Sequence, residues 1–465
     1  MALHKLPPEL VLGISEQLDW DDRKSLSLVN SVVRNHLVPR FFKHLKVDCP
    51  LPQDNILQTV VQKYGAHVSR LRLYVSFFPN PPDSEFGGTK IDPTHEKEKW
   101  YWNNYPASVW ARDEADAPAI KNLIQFKGLP NCSTLSLHTN GDSNFDIDGG
   151  WDINDLGDLS IYFCSEPEDW DMVRRKEELY AWRQAMREMW HDITSLSRVE
   201  HLEILHFLPR KTSIWLESEW SDFLGRLKGL TLVTYGQDNG AGWSVNTLDG
   251  FNDFFKELPT LIFEHTKNLE HLKLSAQKYG HLGHRSLRFA PATMSELRTI
   301  HLENVCITAS LKEFLSGSTP KLESIQMENC SALGIEHYFH EPEEDLTWAE
   351  FWEAVREGNL ALLEVTYRYP ELPPLTEAES MKRRKTRMTL ADTDDETSAR
   401  LRKMVDEDGD SRIWPYVKID GKYGDVWADE EANLENLEAG DDNREYKQLL
   451  DEIRQRRGVI ESSLS

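Results

Sequence analysis

Three groups of residues in this 465-residue chain have types and spacings that could support chemistry. His281-x-x-His284 and His337-x-x-His340, with Cys330 near the second pair, offer the imidazole and thiol groups that bind zinc. A structural zinc site needs four ligands at closed spacing, usually with paired cysteines. Neither pair supplies that set, so these histidines are expected to be packed or solvated. Asn144–Asp155 imitates a calcium loop, with oxygen side chains at Asn144, Asp146 and Asp148 and a glycine at Gly149. Such a loop ends in a bidentate Glu, and the shorter Asp155 stands there instead, so a polar surface loop fits better. The five cysteines (Cys49, Cys132, Cys164, Cys306, Cys330) are scattered, odd in number and without a Cys-x-x-Cys pair. That usage is expected of free thiols in a reducing compartment. The chain has no phosphate-cradling GxxxxGK[ST] loop, no GxSxG elbow and no HExxH. No catalytic residue, metal or cofactor is therefore expected, and the chain is read as doing no covalent chemistry of its own.

If the chain has no chemistry to perform, its elements must serve recognition. At 53.8 kDa it can hold two or three domains and a sizeable core. Its 39% hydrophobic content and 15 Trp suit a folded chain. A net charge of −25 argues against nucleic-acid or anionic-membrane partners, since phosphates would repel it. No apolar run is long enough to span a bilayer, and the opening residues lack the basic-then-apolar pattern of a signal peptide. A soluble cytoplasmic or nuclear protein is expected.

The run LPPELVLGISEQLDWDDRKSLSLVNSVVR from Leu6 to Arg34 is the most informative segment. Leu10, Ile14 and Leu18 recur at helical spacing, and after a polar break Leu26, Val29, Val32 and Val33 form a second stripe. Pro8 suits a first helical turn, and Asp21 or Asp22 suits a cap on the next helix. A helical hairpin is expected, with a third short helix near Leu37–Leu45. So small a unit buries little core and leans on a partner. The segment resembles an F-box, in which Leu-Pro is followed by Glu-Leu, an Ile, a Leu, and then a Val and Arg in the next helix. The matching residues are Leu6, Pro7, Glu9, Leu10, Ile14, Leu18, Leu26, Leu28, Val29 and Arg34. Arg23 departs from the family's usual Leu, and Val33 from a common aromatic; the likeness spans about a tenth of the chain.

Beyond it, an apolar-x-x-apolar-x-apolar signature returns, the strand half of a leucine-rich repeat. Clear copies are Leu269/Leu272/Leu274, Leu297/Ile300/Leu302 and Leu322/Ile325/Met327. Weaker ones are Val68/Leu71/Leu73, Cys132/Leu135/Leu137, Val199/Leu202/Ile204 and Leu227/Leu230/Leu232. The regular part has a period of about 25 to 28 residues, right for a strand plus a helix per turn of a solenoid. Helical halves fall at Phe251–Phe263 and Ile307–Leu315. Asn304 and Cys330 stand where such repeats put an Asn or Cys to hold the turning backbone. Trp collects in the long gaps: Trp100, Trp102 and Trp110, then Trp151, Trp170, Trp182 and Trp190. An F-box joined to leucine-rich repeats is a known pairing, and the ragged repeats and Trp-rich middle resemble its fungal form.

The expected fold class is α/β. A helical F-box over 1–48 leads into an irregular leucine-rich-repeat solenoid with Trp-rich insertions over 49–345. A capping helix, linker and acidic, partly disordered C-terminal region then fill 346–465. Within that region Leu346–Leu363 reads as the capping helix and Asp420-Gly421 as a hairpin turn. Asn443–Arg457 reads as an exposed helix. Lys382–Arg387 (KRRKTR) is a lone basic cluster, either a nuclear import signal or a solvated linker. The resemblance implies a substrate-recognition subunit of a Skp–cullin–F-box ubiquitin ligase. Leu6, Pro7, Leu10, Ile14, Leu18, Leu26 and Val29 would contact the Skp-type adaptor, and through it a cullin, though some of them must serve the hairpin's own core. The strand face and the aromatic insertions would hold an unknown target protein. The alternative is an F-box scaffold that acts outside a ligase.

Overall fold

The computed structural model describes residues 6–51, 56–75, 77, 110–111, 116–139, 161–239, 242–277, 280–283, 286–289, 294–334, 346–369, 395–407 and 412–464. The calcium-like loop, the basic cluster Lys382–Arg387, Trp100, Trp102, Trp151, His284, His337 and His340 lie outside them.

Three short helices open the described chain: α1 (Pro8–Glu16), α2 (Trp20–Leu28) and α3 (Ser31–Phe41). Pro8 stands in the first turn of α1 as expected. The α2 cap is Asp19, whose carboxylate accepts from the Asp22 N–H at 2.8 Å; Asp21 and Asp22 lie inside the first turn. Asn30 caps α3 in the same way, through the Val33 N–H at 2.9 Å. The second apolar stripe is therefore split over two helices. The third helix starts at Ser31 rather than near Leu37, because Asn30 offers its side chain to the orphan amides there.

Only Phe42 and Lys43 separate α3 from strand β1 (His44–Cys49). The joint is packed: Phe42 stacks on Tyr64 at 3.8 Å, and the Lys43 carbonyl accepts from the Ser69 N–H at 2.9 Å. From there a nine-stranded, all-parallel sheet runs in chain order. Its other strands are β2 (Arg70–Val75), β3 (Thr134–Thr139), β4 (His201–Phe207), β5 (Gly229–Thr234), β6 (His271–Ser275), β7 (Thr299–Glu303), β8 (Ser324–Glu328) and β10 (Glu364–Arg368). Every apolar repeat expected from the sequence is a strand, in one register. Leu45, Leu71, Leu135, Leu202, Leu230, Leu272, Ile300, Ile325 and Val365 pair across the whole sheet and form one buried row. Strands adjacent in sequence and stacked in order, with helices against one face, form a leucine-rich-repeat-like stack. The sheet also crosses the domain boundaries expected at 48/49 and 345/346, since β1 and β10 belong to it.

Residues with positive φ turn the chain at strand ends: His206 (57°), Asn304 (55°) and Asn329 (52°). The Asn304 amide donates to the Ala276 carbonyl at 2.6 Å, and the Cys330 thiol to the Leu302 carbonyl at 3.5 Å. Both residues thus hold the backbone of the preceding coil, as their positions suggested.

The described part of the C-terminal region is folded against the end of the stack, while residues 370–394 and 408–411 of that region, on which the expected partial disorder also bears, lie outside the described residues. Helix α4 here denotes Trp348–Gly358, which follows β8, and α5 denotes Asp441–Leu464. Helix α5 packs along α4 and is not the exposed helix expected. Between them Trp348, Trp352, Trp414 and Tyr446 form an aromatic cluster, with ring centres 4.8 to 5.5 Å apart in successive contacts. The hairpin at Asp420-Gly421 is present as β11 (Tyr416–Ile419) paired antiparallel with β12 (Val426–Ala428). It adds to the two-residue strand β9 (Ala332–Leu333).

Candidate functional site

The seven residues singled out in the N-terminal helices divide cleanly. Leu6 and Leu26 face inward with Leu12 and Phe41, packing on a small core of Val11, Val33 and Leu37. Leu18 is half-buried in the turn between α1 and α2. Leu10, Ile14 and Val29 face out, 55%, 42% and 55% exposed, and Pro7 is exposed beside them in sequence. Leu10 and Ile14 are one helical turn apart and share a face of α1. Leu28, Val32 and Trp20 are exposed too and were not in the set. Their signal lay in the split stripe, since Asn30 marks a helix boundary and moves Val32 to a new phase.

Half of the large exposed hydrophobic residues among those described lie between Leu10 and Val32. Scattered apolar residues are normal on a surface, but six within so short a segment form an unusual concentration. Arg40 braces the unit by donating to Glu16 at 2.7 Å and to the Leu12 carbonyl at 3.2 Å. Arg23, the departure from the F-box pattern, is half-buried with no partner for its Nε. Val33 fills the core with no exposure, a small plug that suffices.

The second candidate surface is the sheet face turned from the helices. Alternate strand residues stand on it, among them His44, Lys46, Arg70, Arg72, Tyr74, His138, His201, His271 and His301. Tyr74 and His138 stack at 4.0 Å, with the Lys46 ammonium 4.1 Å from the Tyr74 ring centre. Burial, aided by His206, Arg72 and Lys46, lowers the His138 pKa to about 4, so its imidazole is neutral at physiological pH.

The Trp-rich insertions are a different matter. Trp182 and Trp190 are buried in the main core, and the buried Trp110 donates to Asp192 at 2.9 Å. Trp170 is half-buried, with the Lys211 ammonium over its ring. The described tryptophans of these insertions hold the stack together and offer no interface anchor.

Three buried polar clusters hold titratable groups close together. His281, from the first zinc-like pair, spends its Nε2 on the Cys306 thiol at 3.1 Å. Burial lowers His281 to about 4 and pushes Cys306 up to about 12. Both stay neutral, the opposite of the thiolate–imidazolium pair a cysteine nucleophile needs. Glu168 lies among Arg183 (2.9 Å), Lys176 (2.9 Å) and Arg210 (3.7 Å). Burial would raise its carboxyl, but Arg183, Arg210 and Lys176 prevail and hold it at about 2. That is a permanently ionised strut. Asp442 accepts from the Ala349 N–H at 2.8 Å and the Tyr416 hydroxyl at 3.0 Å, and burial raises it to about 6. It ties α5 to the start of α4.

No group of three metal-ligating side chains gathers among the described residues. No helix among them is long and apolar enough to cross a membrane. The site that remains is a pair of surfaces: an apolar patch on the helices and a polar strand face, joined by two residues.

Neither a protein-family model nor a curated protein sequence matches the chain. Among solved structures, the leucine-rich repeat-containing protein LegL7 from Legionella pneumophila is similar over 75% of this chain and 99% of its own. The identity is 12% and the TM-score 0.23, too low to carry an argument. The repeat architecture is established by the strand order and register: this chain is a leucine-rich-repeat-like parallel stack with a small helical unit at its head.

Proposed function

We propose that the chain is a substrate-recognition adaptor of a Skp–cullin–F-box type ubiquitin ligase, with the head helices docking on the Skp-type adaptor and the repeat stack holding a target protein. The observation that supports this most is the outward apolar set Leu10, Ile14, Leu28, Val29 and Val32 on a unit whose own core is only Val11, Val33 and Leu37 with their half-buried neighbours. About half of each outward side chain is already covered, Leu28 excepted at 71% exposure. Burying the rest against a partner contributes about 1–1.5 kcal/mol per residue. Five such residues supply several kcal/mol, enough for an interface built on a few dominant contacts.

The mechanism is positional. A target on the strand face is presented to a ubiquitin-charged enzyme at high effective concentration, and this chain never touches the reacting bond. The division of the seven residues reassigns their roles: Leu10, Ile14 and Val29 make contact with the adaptor, with Pro7 and Leu18 at its margin. Leu6 and Leu26 support them from inside.

The test is calorimetric titration of the full-length chain with purified Skp-type adaptor, beside a Leu10→Glu/Ile14→Glu variant checked by circular dichroism. Wild-type binding that the folded variant loses supports the proposal. A wild type that does not bind the adaptor overturns it.

A further inference from the structure

The open strand face is unevenly charged. Over β1, β2 and β3 it carries Lys46, Arg70 and Arg72 against one carboxylate, Asp48. Over β7, β8 and β10 it carries Glu303, Glu328 and Glu364 against one cation, Arg368. An excess of cations at one end runs against the composition of a chain with net charge −25.

Two of the three cations have company. Arg70 lies 3.0 Å from Glu203, and Lys46 lies 3.8 Å from Asp48 and over the Tyr74 ring. The Arg72 Nε, however, is buried with no hydrogen-bond partner. Ser136, directly across the register from Arg72, is fully buried and its hydroxyl has no partner. Two residues along β3, the His138 Nε2 is buried and unpartnered as well, with its ring held in place by the stack on Tyr74. Buried polar groups without partners are costly, and here a guanidinium, a hydroxyl and an imidazole share one corner of the face. An oxyanion has the lone pairs to satisfy all three.

The spacing says what kind. Arg70 and Arg72 stand on one face of β2 about 7 Å apart, the distance at which alternate side chains repeat along an extended chain. A row of carboxylates fits that arrangement better than a single dianion.

We propose that the β1–β3 end of the open face binds an extended, carboxylate-rich segment of a partner protein, an inference that rests on the proposed role of the stack in holding a target. Lys46, Arg70 and Arg72 face the carboxylates, and Ser136 and His138 complete the corner around Arg72.

The experiment is fluorescence anisotropy of the full-length chain with three short labelled peptides: one rich in glutamate, one with a single phosphoserine and no glutamate, and one rich in lysine. The glutamate peptide is expected to bind, and to weaken as salt rises. A Lys46→Ser/Arg72→Ser variant with unchanged circular dichroism should lose about tenfold or more in affinity, the worth of one charge-assisted hydrogen bond. Glu328→Gln/Glu364→Gln, at the far end, should not lose affinity. No binding of the glutamate peptide, equal binding of the lysine peptide, preference for the phosphoserine peptide, or indifference to the Lys46/Arg72 change would each overturn the proposal. The Leu10→Glu/Ile14→Glu variant leaves this face intact. Loss of adaptor binding with retained peptide binding therefore leaves the surface standing, and the reverse leaves the adaptor role standing.

Discussion

Replacing Asn304 measures what the turn after β7 contributes to the stack. Its side chain donates to the Ala276 carbonyl at 2.6 Å while its own backbone holds a φ of 55°. Ala276 is buried, so Asn304→Ala strands a carbonyl away from water, at about 1–3 kcal/mol. It also forces a residue with a Cβ and no polar side chain into the left-handed region, adding about 1 kcal/mol or more. The expected loss is about 2–4 kcal/mol. Asn304→Gly loses the same hydrogen bond but accepts positive φ without strain. Its extra cost is about 0.4–1 kcal/mol from a looser unfolded chain. The glycine variant should therefore be at least as stable as the alanine variant, by up to about 1 kcal/mol. Urea unfolding followed by tryptophan fluorescence reads both differences, and hydrogen exchange in β6 and β7 locates them. If the alanine variant is the more stable of the two, the backbone strain argument is wrong. If neither shifts the midpoint, the side-chain ladder does not hold the turn.

Three further outcomes follow from the same geometry. Leu10→Glu, on the outward face, should change the stability of the head helices by no more than about 0.5 kcal/mol, whereas Val11→Ala beside it opens the small core and costs about 1–3 kcal/mol; circular dichroism during heating of the full chain distinguishes them. Glu168→Gln leaves Arg183 buried without its carboxylate and should destabilise by about 3–5 kcal/mol. Because the folded pKa of Glu168, about 2, lies below its ordinary 4.5, its contribution is complete above pH 4.5 and fades as pH falls toward 2. A wild type whose stability does not fall more steeply than the variant's in that window would contradict this. Asp442 has the opposite sign. Its pKa of about 6 exceeds the ordinary 3.8, so the folded state holds the extra proton and stability declines as pH rises from 3.8 to about 6. Asp442→Asn should flatten that decline in melting temperatures taken across the range, and an unchanged slope would assign it to other groups.

The interior of the repeat was legible in the sequence because a parallel stack demands the same thing of every strand. Two apolar residues, two positions apart, must enter a shared core, and a third closes the turn before them. Seven copies met that demand with aliphatic residues, Cys132 and Met327 apart. The two strands missed, β1 and β10, meet it with Leu45/Val47 after a half-buried Phe42, and with Leu362/Val365/Tyr367. There an aromatic stands in an aliphatic place, which hides the repeat signature. The head helices were legible as helices but not in phase. Local side-chain caps at Asp19 and Asn30 reset the period, and a stripe read through the break mixes inward with outward residues. The packing of the described tail was illegible for another reason. Its acidic composition suits disorder when read alone, but Trp348, Trp352, Trp414 and Tyr446 are distributed over distant segments and meet only once the chain has turned back. The open face was legible as a surface. Its charge gradient was not, because Lys46, Arg72 and His138 become neighbours only through strand pairing across long insertions.

The two-residue joint between α3 and β1 sets the angular freedom of the whole molecule. Phe42 is clamped on Tyr64, and Lys43 is tied into the first coil of the stack, so no hinge lies between head and sheet. A body seated on the helices and a body seated on the strands would then share a single frame of reference, like two tools bolted to one bracket. Under the proposed ligase role, the set of target lysines within reach would be a fixed shell in space, and a lysine outside that shell would gain nothing from tighter binding. Selectivity in such an arrangement would be set by distance and direction as much as by affinity, and a few flexible residues inserted after Lys43 would blur it while leaving both surfaces intact.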